Sequence, residues 1–335
     1  MFKPYLIFLI IVFIAGCRKD PQLSIPIVNE DIYCFEQSSH LAPEPVLEEL
    51  MIGEVTGGPY YTNLSPYYIY SIQFNPEKAN QIAYIKQDTG VIANKRSIWF
   101  YDFCTKESRL LVEGCYNDLS WGNGDNILYI GPSYEVYSTN LQGISKQITT
   151  AGTHQTPGKY SPNGNLLFTI GSDGLRIFDK TAELLIFHEG YPNFRAIDWI
   201  DNDHLIIMNN TTSIYQSFNI HNSERVNLHT QPKCHYCRDT YVRESSTIYY
   251  IQHSLSETKG LYSFNIAKDE ERYLKELSSS YELHSIDYNT DAKKLIFTLI
   301  EFSMKDPGGQ NIYIRFNGLI LNENATNPRI IDLPQ

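Results

Sequence analysis

A unit that recurs six times constrains this chain more than any other feature. Aligned on the aromatic residue that ends its first strand, the copies fall at Phe74, Trp121, Tyr160, Trp199, Tyr241 and Tyr288, spaced by 47, 39, 39, 42 and 47 residues. A polar turn follows each anchor, as in Asn75-Pro76-Glu77, Gly122 to Asp125, Ser161 to Gly164, Asp201 to Asp203, Arg243 to Ser245 and Asn289 to Asp291. These are turn residues for physical reasons: Gly permits positive φ, and Asn or Asp bonds its own backbone. An apolar run comes next, for example Ile82-Ala83-Tyr84, Leu205-Ile206-Ile207 and Leu295-Ile296-Phe297, and reads as a second strand buried on both faces. A third strand follows, such as Ile98 to Asp102 or Leu261 to Asn265, and a weaker fourth closes several copies, as in Leu184 to Phe187 and Arg329 to Asp332. Four short strands in a unit of this length are the signature of a propeller blade. The pattern predicts an all-β fold, a six-bladed β-propeller of four-stranded antiparallel blades.

In the last copy two runs compete for the third strand. Asn317-Gly318 has the form of a hairpin turn between 312–316 and Leu319 to Leu321, and Ile312-Tyr313-Ile314 is the preferred choice.

Composition agrees with strands and narrows the partners. Charged residues are only 19% of the 335, while 25 are Tyr, a residue that suits a pleated, half-buried surface. A net charge of -11 with no basic stripe argues against nucleic acid, which needs clustered Lys and Arg to displace counterions.

The turn Tyr160-Ser161-Pro162-Asn163-Gly164, with Leu166-Leu167-Phe168 after it, resembles the aromatic-Ser-Pro-Asp-Gly repeat of TolB-type propellers, a WD-repeat-like architecture. Asn163 stands where Asp is usual. The third copy matches closely, whereas the other five keep only the spacing and the apolar skeleton. The resemblance implies a propeller that serves as a scaffold for binding. It does not extend to the separate N-terminal α/β domain of TolB, for which the stretch before Phe74 is too small.

The N-terminus carries an address. Lys3 precedes an apolar run from Tyr5 to Ala15, about eleven residues and too short to span a bilayer as a helix. Ile14-Ala15-Gly16 before Cys17 resembles a bacterial lipoprotein box, with Ile14 in place of the usual Leu. That resemblance implies a signal peptide over 1–16, lipidation of Cys17, and a membrane attached through that lipid. An ordinary secretory signal with an incidental cysteine is the alternative. Arg18 beside the cysteine lacks the acidic signal for inner-membrane retention, so the expected location is the cell envelope, at the outer membrane with its face open. Residues 17–66 hold Pro21, Pro26, Pro43, Pro45, Pro59 and Pro66 and read as a tether, with a strand-like stretch from Asp31 to Phe35; the propeller is expected over 67–335.

Residues with chemistry are few. Cys234-His235-Tyr236-Cys237 is a C-x-x-C pair that can be a disulfide, free thiols, or a metal or redox element. Arg238 after the second cysteine excludes haem attachment, and structural zinc would need a second pair. In an oxidising envelope the disulfide Cys234–Cys237 is preferred. Cys34, Cys104 and Cys115 are scattered singles; five cysteines after Cys17 leave at least one unpaired, and Cys104 and Cys115, at opposite ends of one strand, are not expected to bridge.

The loops that enter the first strands converge on one rim of a propeller channel. They bring Tyr70, Asn117, His154, Arg195, His235, Arg238 and His284 together as candidate binding residues for an envelope protein or peptide. Loop polarity through simple wetness is the plainer account. Asp198 and Asp287 sit directly before anchor aromatics, and Asp118 three residues before another. They can line the channel as acid or metal groups, or bond neighbouring backbone, the preferred role.

Enzyme signatures are absent: no G-x-S-x-G elbow, no H-E-x-x-H, no phosphate-cradling loop and no dinucleotide fingerprint, so neither cofactor nor metal is implied. The expected function is a non-catalytic, lipid-anchored scaffold. The alternative is a hydrolase or lyase acting on polysaccharide or peptide at the channel mouth, with His154, His235 and His284 as acid–base candidates.

Overall fold

The computed structural model describes Cys34 and residues 40–41, 62–63, 67–88, 96–116, 118–122, 124–149, 154–189, 194–229, 238–252, 260–276, 281–305, 311–326, 329–331 and 333. Described residues form six sheets, each built on a four-stranded antiparallel blade whose strands follow chain order from the inside outwards. Blade one comprises Tyr67–Asn75, Lys78–Asp88, Arg96–Asp102 and Glu107–Cys115; blade two, Leu119–Trp121, Asn126–Ile130, Val136–Asn140 and Ser145–Gln147. Blade three holds His154–Tyr160, Leu166–Gly171, Gly174–Asp179 and Leu184–Glu189; blade four, Phe194–Trp199, His204–Asn209, Ile214–Asn219 and Arg225–Asn227. Blade five holds Arg238–Val242, Thr247–Gln252, Gly260–Asn265 and Glu270–Glu276; blade six, Tyr281–Asn289, Lys294–Lys305, Asn311–Asn322 and Arg329–Ile331. Each first strand touches the first strands of the blades on either side, the sixth against the first, so the inner strands close a ring. The six-bladed propeller is the fold that the repeat predicts.

The core lies between blades. Each second strand carries an apolar run buried on both faces, because a neighbouring blade covers each side of it. One cluster joins Ala83, Ile85, Ile98 and Phe100 of blade one to Leu119, Trp121 and Ile127 of blade two. Another joins Phe168, Leu175 and Ile177 of blade three to Trp199, Leu205 and Phe218 of blade four. The anchors Phe74 and Trp199 are 2% and 0% exposed, which explains why this position keeps an aromatic.

Blade six departs from the hairpin expected in it. Asn311–Asn322 is one strand, and Gly318 lies within it, opposite Thr298 and Ile331. A Cβ there would meet Ile72 Cδ1 at 3.2 Å, so the glycine serves close packing against blade one and not a turn. Leu319 to Leu321 pair with Leu295 to Phe297 in the body of the blade, while Ile312 lies in an extension of the same strand.

The segment before the blades also joins this sheet. His40–Leu41 pairs antiparallel with Ile330 and Arg329 on the outer edge of blade six, and Thr62–Asn63 pairs parallel with Ile312 and Tyr313. The added outer strand is therefore His40–Leu41; Cys34, in the stretch with strand character, is helical. Cys34 forms a disulfide with Cys104, in the turn before the fourth strand of blade one, with Cα atoms 5.0 Å apart. The segment thus ties blade one to blade six across the ring closure. Cys115 is a free, buried thiol, pushed up to about 12 chiefly by burial, which leaves it unreactive.

Candidate functional site

Successive side chains of a strand point to opposite sides. The anchors Phe74, Trp121, Trp199 and Tyr241 are buried between blades and Tyr160 and Tyr288 are half-buried there, so the residue before each is turned to the channel. In chain order that position holds Gln73, Ser120, Lys159, Asp198, Thr240 and Asp287, and all six line one cavity of about 280 Å³ on the propeller axis. The cavity opens among the turns that follow the anchors, where Pro76, Pro162, Glu244 and Thr290 form its rim.

The same side chains stitch the inner strands together. Asp287 Oδ2 accepts the N–H of Phe74 at 2.9 Å, joining blade six to blade one. Gln73 donates to Leu119 O at 2.8 Å and accepts the Trp121 N–H at 3.2 Å, joining blade one to blade two. The Trp199 indole donates to Lys159 O at 2.8 Å, and Asp198 Oδ1 accepts the Trp199 N–H at 2.7 Å. Asp118 accepts from Leu119 N at 3.0 Å and from the Ser71 hydroxyl at 3.4 Å. Each of these aspartates bonds neighbouring backbone, the preferred role, and Asp198 and Asp287 also line the cavity.

Charge is concentrated here. Lys159 Nζ lies 2.7 Å from Asp198 Oδ2. Burial works to lower the Lys159 ammonium, but Asp198, Asp287 and Asp118 overcome it and hold the group above its ordinary value. Burial pushes the Asp287 carboxyl up to about 6, against the pull of Lys159 and the amides of Phe74 and Tyr288. Asp118 is also raised by burial, with Arg238 as the main opposing charge. Among the described residues no group of three or more His, Cys, Asp or Glu side chains is placed to hold a metal ion.

The candidates at the entry-loop rim do not gather at this cavity. Arg195 makes a bidentate pair with Asp239, at 2.7 and 2.5 Å, and the Tyr215 hydroxyl donates to the same carboxylate at 3.1 Å. Asp239 is 2% exposed, so this cluster ties blade four to blade five. His154 is 1% exposed, its Nδ1 2.9 Å from the Thr169 hydroxyl, inside blade three. Tyr70 is half-buried, with the Arg96 guanidinium 4.1 Å above its ring. Arg238 is exposed, and its charge acts on Asp118. Asn117, His235, Cys234, Cys237 and Cys17 lie outside the described residues, as does the side chain of His284.

Sequence reasoning missed Lys159, Gln73, Ser120 and Thr240. Their signal is the column directly before the anchors, in which only carboxylates were singled out as chemically informative.

No protein-family model matches the sequence, and no curated protein does. Solved structures resemble the fold at low identity. TolB from Acinetobacter baumannii superposes with a TM-score of 0.58 at 13% identity, over 77% of this chain and 64% of that one, so the chain spans under two thirds of that protein's length. A TolB-type protein of Agrobacterium tumefaciens gives 0.55 at 12% identity, over 72% and 90%. Oligogalacturonate lyase from Vibrio parahaemolyticus gives 0.50 at 12% identity, over 81% and 78%. The chain has a TolB-like six-bladed propeller fold, a likeness that also extends to lyase structures.

Proposed function

We propose that this protein is a non-catalytic scaffold of the bacterial cell envelope, lipid-anchored through Cys17, that captures a protein or peptide at the axial cavity. The observation that carries the reading is the cavity itself: every blade contributes to its wall the side chain directly before its anchor, and the turns at its rim are held from blade to blade. Lys78 pairs with Asp125 at 2.9 Å, Asn163 N–H donates to Asn202 at 3.1 Å, and Thr290 donates to Glu244 at 3.3 Å. A concave polar mouth on a rigid ring suits recognition of a chain terminus or protruding loop, because little ordering entropy is lost by the receptor. The envelope location, the outer membrane and the Cys17 lipid rest on the N-terminal pattern. Arg238 and Tyr70 at the opposite rim are kept as a secondary contact surface.

Photocrosslinking tests the reading. A benzophenone amino acid at exposed Thr290, in the intact lipoprotein in cells, is expected to capture one dominant envelope protein, and the same probe at exposed Lys268 on the outside of blade five is not. Equal, diffuse labelling from both positions overturns a specific site at the cavity.

A further inference from the structure

The ionisable groups that face the cavity are unequal in number. Asp198, Asp287 and Glu244 carry negative charge into it, and Lys159 and Arg243 carry positive charge. Arg243 is committed to Trp199 O at 3.4 Å at the rim, and Glu244 is met by Thr290. Deeper in, one ammonium serves the two carboxylates of the wall: Lys159 is in contact with Asp198 and lies within the field of Asp287, while Asp118 has Arg238 as its main opposing charge. Asp287 has backbone amide donors but, among the described residues, no cation of its own in contact. Burial is the main cause that raises its carboxyl, Lys159 and the amides of Phe74 and Tyr288 oppose it, and neighbouring Asp198 adds to the rise.

The walls above these carboxylates are aromatic. Trp121, Tyr160, Tyr241 and Tyr288 line the cavity together with Pro76 and Pro162. Such a lining accepts an aliphatic stem and favours a cation by its ring faces. Lys159 already occupies the place beside Asp198 that a bare metal ion would need, so the remaining vacancy in the charge balance suits a cation that arrives on an apolar stem.

Resting on the scaffold reading, we infer that the cavity binds the basic side chain of a peptide, a Lys or Arg inserted charge-first, with its charge directed at Asp287 and its stem against the aromatic walls. The chain's net charge of -11 assists the approach of such a partner.

The test uses two fluorescein-labelled peptides, Gly-Ser-Gly-Lys-Gly-Ser-Gly and the same peptide with Glu for Lys, titrated by anisotropy with the full chain at pH 7.5 and low salt. The Lys peptide is expected to bind at least about tenfold more tightly than its Glu twin, a difference of about 1.4 kcal/mol. Asp287→Asn keeps an acceptor for the Phe74 amide and is expected to weaken the Lys peptide about fivefold while leaving the Glu peptide unchanged. Glu244→Gln, at the rim and away from the strand bonds, serves as a second variant if Asp287→Asn folds poorly, with a smaller loss in the same direction.

Equal binding of the two peptides, absence of binding by both, or undiminished Lys-peptide binding by both variants overturns the inference. Its failure is separable from that of the scaffold reading. A protein captured from Thr290 through a segment without Lys or Arg leaves the scaffold standing and removes the basic side chain. Tight Lys-peptide binding with no captured protein does the reverse.

Discussion

The carboxylate of Asp287, in the first strand of the last blade, accepts the amide N–H of Phe74, in the first strand of the first blade, at 2.9 Å. A single side chain thereby lines the cavity, closes the ring and carries a charge that the buried surroundings disfavour. The sign of its contribution follows. The folded-state carboxyl is raised to about 6, above its ordinary value of 3.8, so the ionised group opposes folding; the penalty is complete above about pH 6 and is relieved as the pH falls toward the unfolded value.

Asp287→Asn is therefore expected to raise the melting temperature at pH 7.5 and to leave it unchanged at pH 4. Because the carboxylate borders an open cavity, the gain is on the order of 1 kcal/mol, which is about 2–4 °C in a domain of this class. Thermal melts of both proteins across pH 4 to 8 check it. A variant that is less stable at pH 7.5, or a difference that does not change with pH, would show that the amide bond outweighs the charge.

Arg195 has an assignment different from partner capture. Its guanidinium forks onto Asp239, which is 2% exposed and also takes the Tyr215 hydroxyl. Removing one partner of such a pair leaves a buried charge uncompensated, at a cost of about 3 kcal/mol. Arg195→Met should lower the urea midpoint strongly, and Arg195→Met with Asp239→Asn should recover much of the loss. Arg238→Ala, at an exposed position, should stay within about 0.5 kcal/mol of the parent. If Arg195→Met unfolds at the parent midpoint, the cluster does not tie blades four and five.

The anchors and apolar runs predict blades because burial between blades is a periodic demand: Trp199 and Leu205 recur as types in every copy. Blade six was less legible. Asn317-Gly318 satisfies local turn chemistry, yet Gly318 is needed where Ile72 of another blade approaches, a contact 246 residues away in sequence. The axial cavity was less legible for a related reason. Sequence places binding residues on the loops that converge at one rim of the channel, whereas the axial cavity is walled by strand residues whose direction is set by the anchor beside them. Arg195 and His154 are polar residues near the entry rim, but buried partners claim them, and neither Asp239 nor Thr169 could be identified as a partner from sequence spacing. The Cys34–Cys104 pair was equally hidden, since its separation of 70 residues spans the whole ring closure.

That disulfide should matter to stability. It fixes the segment holding His40–Leu41, the added strand of blade six, to a turn of blade one. Closing a loop of this length in the unfolded chain has an entropic effect of about 4 kcal/mol at most. Cys34→Ser, or mild reduction, is expected to lower the melting temperature by several degrees and to raise hydrogen exchange at Arg329–Ile331, the strand that His40–Leu41 covers, before other blades respond. Unchanged exchange at that edge, with a lowered melting temperature, would place the effect in the unfolded chain alone.

Gly158 offers the sharpest test of how the cavity wall is positioned. It precedes Lys159 in the first strand of blade three, where the pairing register shifts between Thr156 and Lys159. Its φ is +73, and a Cβ there would lie 1.5 Å from Phe168 O, on the adjacent strand. Left-handed backbone and close approach of a carbonyl both demand glycine. Gly158→Ala must push the two strands apart, and the loss should exceed that of an ordinary strand substitution, at about 3 kcal/mol or more. Because the bulge aims Lys159 at Asp198, the variant should also disturb the axial charge cluster. In NMR titrations of the side-chain carboxyls, Asp287 should lose part of the opposing pull of Lys159 and titrate higher than in the parent. Parent-like stability with an unmoved Asp287 titration would mean that the bulge is not what sets the wall.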